Sequence, residues 1–208
     1  MFEQISDQVF VIVVIISSVV VHELMHGVAA DWLGDKTARY AGRLTLNPLA
    51  SIDPIGTVLV PILTSFFGFF FGWAKPVPYN PYNFRRFLRY GEAIVAAAGP
   101  FSNLGIALVF GLIIRIGVPD SFFQLCAYVI QINASLFILN LIPIPPLDGS
   151  KVLTALLPGE LGLLYRRFRE FLELNFFVGM FLVILFVNIL SGPFRTVVIA
   201  LTRAIAGV

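Results

Sequence analysis

The chain predicts an all-α integral membrane protein, a polytopic bundle of about 4–6 membrane segments. One segment either spans or re-enters, and one short region reads as β-strand. Two observations predict this. Of 208 residues, 58% are hydrophobic and 12% are charged, with a mean hydropathy of +0.91. A soluble domain carries about 25% charged residues, and one of this size cannot bury so much apolar surface in a single core. Second, several apolar runs approach the ~20 residues that a hydrocarbon layer of ~30 Å requires of a helix.

Four segments read as spans: residues 9–33, 92–116, 122–141 and 176–190. A fifth apolar stretch, 55–71, contains Gly56, Pro61 and Gly68 and is expected either to cross or to dip in and return. Residues 34–52 are polar, and Arg43-Leu44-Thr45-Leu46 alternates as a strand does. Residues 73–91 hold three prolines, then Arg85, Arg86 and Arg89. That pattern predicts an extended interfacial loop anchored by Trp73, Tyr79 and Tyr82. Residues 142–175 open with prolines and end in an Arg/Glu-rich stretch that predicts an interfacial helix. The tail from Phe194 is apolar and reads as a surface helix or part of a last span. No internal repeat is visible, so one domain over 1–208 is expected.

Charge and cysteine content exclude further classes. Lys+Arg is 14 and Asp+Glu is 12, a net +2, and no basic block predicts nucleic-acid binding. The single cysteine, Cys126, permits no intrachain disulfide and no cysteine metal cluster. The first eight residues hold Glu3 and Asp7 without Lys or Arg, so a cleaved signal peptide is not expected.

Both histidines of the chain lie in His22-Glu23-Leu24-Met25-His26. Residues i and i+4 share a helix face, so both imidazoles can bind one zinc while Glu23 reaches water at the metal. Ionisable groups inside a membrane segment are costly and mark function by default. A hydrogen-bonded structural His/Glu cluster is the bland alternative. A catalytic zinc takes three protein ligands, and no third histidine exists. The third ligand must be a carboxylate or Cys126. Asp53 and Glu92 open apolar segments as helix caps do. Asp148 sits in Asn140-Leu-Ile-Pro143-Ile-Pro145-Pro146-Leu-Asp148-Gly149, where prolines break the helix after an apolar span. It reads either as the third ligand or as a cap on the next helix. Zinc with Asp148 and Glu23 ionised is neutral overall, which favours the ligand reading in a low-dielectric site.

Together these residues resemble the site-2 protease family of intramembrane zinc metalloproteases, in its short bacterial branch. His22-Glu-Leu-Met-His26-Gly27 matches the first motif of that family, and Asn140-x-x-Pro143-x-x-Pro146-x-Asp148-Gly149 matches the second. Ala98-Gly99-Pro100-x-x-Asn103, Gly42-Arg43-x-Thr45-Leu46-Asn47-Pro48 and Asp53-Pro54-x-Gly56-Thr57 look like further signatures. The match covers roughly residues 9–150. Short relatives often carry histidine where Ser51 stands, and no PDZ or CBS domain is seen.

The resemblance implies one zinc per chain on His22, His26 and Asp148, with Glu23 as general base and later acid. It implies substrates that are membrane-embedded helices, locally unwound, in a multi-pass protein of the cell membrane, with the bacterial cytoplasmic membrane expected. Asn140 reads either as a donor to the developing oxyanion or as an interhelical hydrogen bond. Asn103 is a second substrate or oxyanion candidate, with polar packing between spans as the stronger reading. The stretch at Arg43 to Leu46 is a candidate for holding substrate by strand addition. A metal-binding transporter and a non-catalytic membrane scaffold are the competing classes.

Geometry adds a topology. His22 lies about 20 Å along a helix beginning at Val9, and Asp148 follows the end of its own span, so the two can meet only if those spans run parallel. That requires an odd number of crossings between them. If 55–71 returns, the Lys/Arg residues divide 11 to 3 between the two sides; if it crosses, 8 to 6. The first division obeys the positive-inside rule. Residues 34–52 and 73–91 are therefore expected to be cytoplasmic and the N-terminus outside.

Overall fold

The structure, a computed structural model, describes residues 5–60 and 73–207. Its first helix, α1 (Ile5–Leu33), is rich in Val and Ile. In water such β-branched residues favour helix weakly, but in lipid every backbone group must be bonded within the segment, which enforces helix. The helix ends at Gly34, whose φ of 115° is open to glycine. Gly34 N–H donates to Asp31 O and Asp35 N–H to Ala30 O, at 3.1 and 3.0 Å. This is the Schellman pattern, which satisfies the last carbonyls.

A one-turn helix, α2 (Thr37–Tyr40), follows, and then irregular backbone. The expected strand at Arg43 to Leu46 is absent, and no strand occurs among the described residues. Alternation alone does not make a strand, because the ladder needs a partner. Here Arg43 instead gives its side chain to Lys75 O, at 2.8 Å. Asp53 caps the turn Pro54–Leu59, accepting from the N–H groups of Ile55 and Gly56 at 2.9 and 3.1 Å.

The long helices α3 (Gly91–Ile116) and α4 (Asp120–Asn140) match the expected spans within two residues. Pro100 lies inside α3, where it removes one backbone donor. After α4, the prolines 143, 145 and 146 occupy a tight turn that delivers the chain to α5 (Asp148–Leu156). Then come α6 (Gly159–Leu174), α7 (Phe176–Ile189) and α8 (Ser191–Ala206).

The expected number of spans is not confirmed. Among the described residues, three helical stretches are long and apolar enough to cross a membrane: Gln8–Leu33, Gly91–Ile116 and Asp120–Asn140. The span predicted at 176–190 is a helix of 14 residues, about 21 Å long and short of the hydrocarbon thickness. It becomes a fourth candidate only when joined to α6 across a 106° bend.

Helix α3 is the hub, packed against α1, α4, α5 and α8. Small residues permit close approach, as between membrane helices generally. Ala107, Ile130, Ile205 and Ala206 form one cluster where α3, α4 and α8 meet. Ala30, Leu33, Phe84 and Val95 form another between α1, α3 and the loop before α3.

Side-chain contacts fix the helix directions. Ser18 meets Asn133 while His22 meets Asp148, so α1 and α4 ascend together. Ser18 and His22 meet Asn103 while His26 meets Val95, so α3 descends between them. The expected parallel pair is thus seen. The expected return of 55–71 falls largely outside the described residues. Its two flanks are joined: Trp73 N–H donates to Gly56 O at 3.0 Å, and Lys75 N–H to Ser51 O at 2.9 Å.

Residues 73–83 are strapped to the end of α1 by Asp35, which is fully buried. Its Oδ2 accepts from Asn80 N–H at 2.7 Å, and its Oδ1 from Asn83 Nδ2 at 2.9 Å and from the Thr37 hydroxyl at 2.5 Å. Burial pushes this carboxyl up, but these donors outweigh burial and hold it below the ordinary carboxylate range.

Two outcomes follow. Lys36→Cys and Arg86→Cys, each in a Cys126-free background, label from the same face of the membrane. Labelling from opposite faces refutes the topology. Asp35→Ala leaves buried donors unpaired, a loss of about 1–3 kcal/mol, and speeds hydrogen exchange at the Asn80 amide. Because the folded-state pKa is depressed, this contribution is complete above about pH 4. It is lost as pH falls through the lowered value. Exchange at Asn80 measured against pH checks the sign.

Candidate metal centre

One helical turn separates His22 from His26, so both imidazoles leave α1 on one face toward α3. Both are buried, as is Asp148, the first residue of α5. His22 Nε2 lies 3.0 Å from His26 Nε2, and Asp148 Oδ2 lies 3.1 and 3.2 Å from the two nitrogens. Three donors on a tetrahedral zinc with bonds near 2.0–2.1 Å stand about 3.3 Å apart. The observed triangle therefore fits zinc after a slight opening.

The space on the metal side depends on a missing side chain. A Cβ at Gly99 would lie 2.5 Å from His26 Nε2 and 2.6 Å from His22 Nε2. Glycine lets α3 pass there without filling the ligand face. Asp148 is not a capping residue in the usual sense, since α5 has no side-chain cap bond. Among the described residues, His22, His26 and Asp148 are the group whose ligand atoms converge. Asp53 caps its own turn, and Cys126 is buried within α4.

Each imidazole is held from behind. His26 Nδ1 lies 2.7 Å from Val95 O, and His22 Nδ1 lies 2.7 Å from Asn103 Oδ1. Such partners orient a ligand ring and leave Nε2 for the metal. Asn103 is fully buried and does not line the cavity, so it stands behind a histidine rather than against substrate. Its amide faces α1 and α4.

Glu23 faces a cavity of about 670 Å³ that also contains the three ligand residues, Asn140 and Lys151. Glu23 Oε2 accepts the Val77 N–H at 3.0 Å, which leaves Oε1 for water. Asn140 donates to Leu136 O in its own helix at 3.0 Å, and its second amide hydrogen remains for another acceptor. The expected strand-addition site at Arg43 to Leu46 is not a strand and does not line this cavity.

Sequence reasoning missed four contributors. Val77 and Val95 act through backbone atoms, which residue identity does not reveal. Asn133 and Ser18 were overlooked, although a polar side chain in an apolar span is itself a signal. Asn133 donates to Ser18 Oγ at 3.0 Å and accepts from Asn103 Nδ2 at 3.0 Å.

Comparison with known proteins agrees with this geometry. The model of Peptidase family M50 matches residues 115–186, which include Asn140 and Asp148. Over 162 residues the chain is 36% identical to "Putative zinc metalloprotease YwhC" of Bacillus subtilis, covering 72% of this chain and 69% of that one. It is 32% identical over 148 residues to "Putative zinc metalloprotease Rip2" of Mycolicibacterium smegmatis, with 68% and 55% covered. It is 31% identical over 142 residues to "Putative zinc metalloprotease MJ0611" of Methanocaldococcus jannaschii, with 66% and 65% covered. The chain thus spans less than two thirds of the second and third relatives. No solved structure matches it significantly. With a family model on its second motif and a relative matched over most of both chains, the chain belongs to peptidase family M50, the site-2 protease family of zinc metallopeptidases.

Proposed function

We propose that this protein is an intramembrane zinc metalloendopeptidase, hydrolysing peptide bonds in or near transmembrane segments of membrane-protein substrates. The observation that carries the reading is the convergence of His22, His26 and Asp148, whose ligand atoms all lie within 4.8 Å, beside Glu23 on one cavity wall. These three residues would hold one zinc. Bound there, the ion supplies Lewis acidity to the scissile carbonyl and to water.

The chain's own groups supply the rest. Glu23 takes a proton from the attacking water as its oxygen bonds to the scissile carbon, and returns that proton to the leaving nitrogen as the C–N bond breaks. The Val77 N–H fixes one carboxylate oxygen and so aims the other. The free amide hydrogen of Asn140 is the candidate donor to the developing oxyanion. A helix shields its own peptide bonds, so the substrate must unwind where it meets the cavity. The three to four candidate spans support residence in the membrane, and the bacterial cytoplasmic membrane is the proposed location.

Purified protein should carry one zinc per chain by metal analysis, and His22→Ala or His26→Ala should remove most of it. Asp148→Ala with full zinc occupancy and full activity would refute Asp148 as ligand. Gly99→Val fills the ligand face and also empties the site. Glu23→Gln retains zinc and loses cleavage of a helical membrane substrate by at least about 10²-fold. Wild-type cleavage by that variant would sink the mechanism.

A further inference from the structure

We propose that Ser18, Asn103 and Asn133 form a polarised relay that fixes the tautomer of His22, making Asn133 and Ser18 positioning residues for the metal site. The inference rests on the metal reading above and goes beyond it, because neither Ser18 nor Asn133 touches the ligand triangle.

The polarity of the relay follows from acceptors that can only accept. Amide oxygen and nitrogen are assigned from the bonds around them. The Val129 carbonyl lies 2.9 Å from one end of the Asn133 amide, and that end must therefore be Nδ2. The same Nδ2 reaches Ser18 Oγ at 3.0 Å. Asn133 then turns Oδ1 toward Asn103, at 3.0 Å, so Asn103 must present Nδ2. That nitrogen also lies 3.3 Å from the Ser18 carbonyl, a second obligate acceptor. Asn103 is left with Oδ1 facing His22 Nδ1 at 2.7 Å. His22 must hold its proton on Nδ1, and its Nε2 lone pair points at Asp148 and His26. Two main-chain carbonyls, on α4 and α1, thus determine which nitrogen of a ring on α1 can bind metal.

All three side chains are buried, at 3%, 0% and 0% exposure for Ser18, Asn103 and Asn133. Water cannot replace a missing member. Polar packing between helices would account for three buried polar groups, but it does not require a single direction of donation. His26 has a separate device, one carbonyl from Val95, and serves as an internal control.

The test is NMR of protein labelled with ¹⁵N in its two histidines, the His22 signals being identified by their loss in His22→Ala. The parent should show a slowly exchanging, low-field proton on His22 Nδ1, with zinc or without it. Asn133→Leu should shift that proton and speed its exchange, leave the His26 signal in place, and raise the zinc Kd about tenfold. Asn103→Leu should raise it up to about a hundredfold, the upper range for partners of ligand histidines. Asn103→Asp keeps an acceptor toward His22 but loses the donor to Asn133 and Ser18, so it should restore the His22 Nδ1 proton without restoring the parent's zinc Kd in full. Ser18→Ala should act in the direction of Asn133→Leu more weakly, and it stands in if the leucine variant does not fold. An unprotonated His22 Nδ1 in the zinc-loaded parent overturns the relay. So does an Asn133→Leu protein with His22 signal and Kd unchanged, or with His22 and His26 disturbed alike. A parent that binds no zinc defeats the functional reading instead, and the His22 proton of the zinc-free protein still decides the relay.

Discussion

The fold turns on one approach: a carboxylate and two imidazoles, 126 and 122 residues apart in sequence, brought within 3.2 Å inside an apolar bundle. Lipid offers no water to separate or solvate them, so each group must find its partners in the protein. The helix arrangement follows from that demand. α1 and α4 must ascend together for Asp148 to reach His22, and α3 must descend between them. The proline-broken turn after α4 is needed because Asp148 has to enter from beyond the end of a span.

Close packing at α3 makes the approach possible. Gly99 lets the ligand face stay open where another residue would occupy it. On the far side of the same helix, Gly111 lies against Ile205 of α8. Between these points Asn103 spends its whole amide on α1 and α4. The helix that carries no ligand is thus the one that sets the spacing of the ligands.

Much of this was legible in the sequence. The two histidines at i and i+4 in an apolar run state both the element and its chemistry, because helix geometry leaves them one common face. Asp148 was legible through its prolines, which mark irregular backbone at a depth where it must serve a purpose. What failed did so for physical reasons. The alternation at Arg43 to Leu46 satisfied the strand period but had no neighbour to pair with. The segment 176–190 forms a helix where expected, Phe176–Ile189, but alone it is short of a span and joins the preceding helix across a sharp bend that apolar composition does not report. Val77 and Val95 contribute through main-chain atoms, which depend on tertiary position alone.

The segment Pro76-Val77-Pro78 borders the cavity and has an unusual chemical poverty. Neither proline carries an N–H, and the one amide hydrogen between them is taken by Glu23. These three residues therefore offer no free main-chain donor, only carbonyl acceptors. Any donor to an extended chain lying there has to come from other residues of the wall, among them Tyr79 and Lys151.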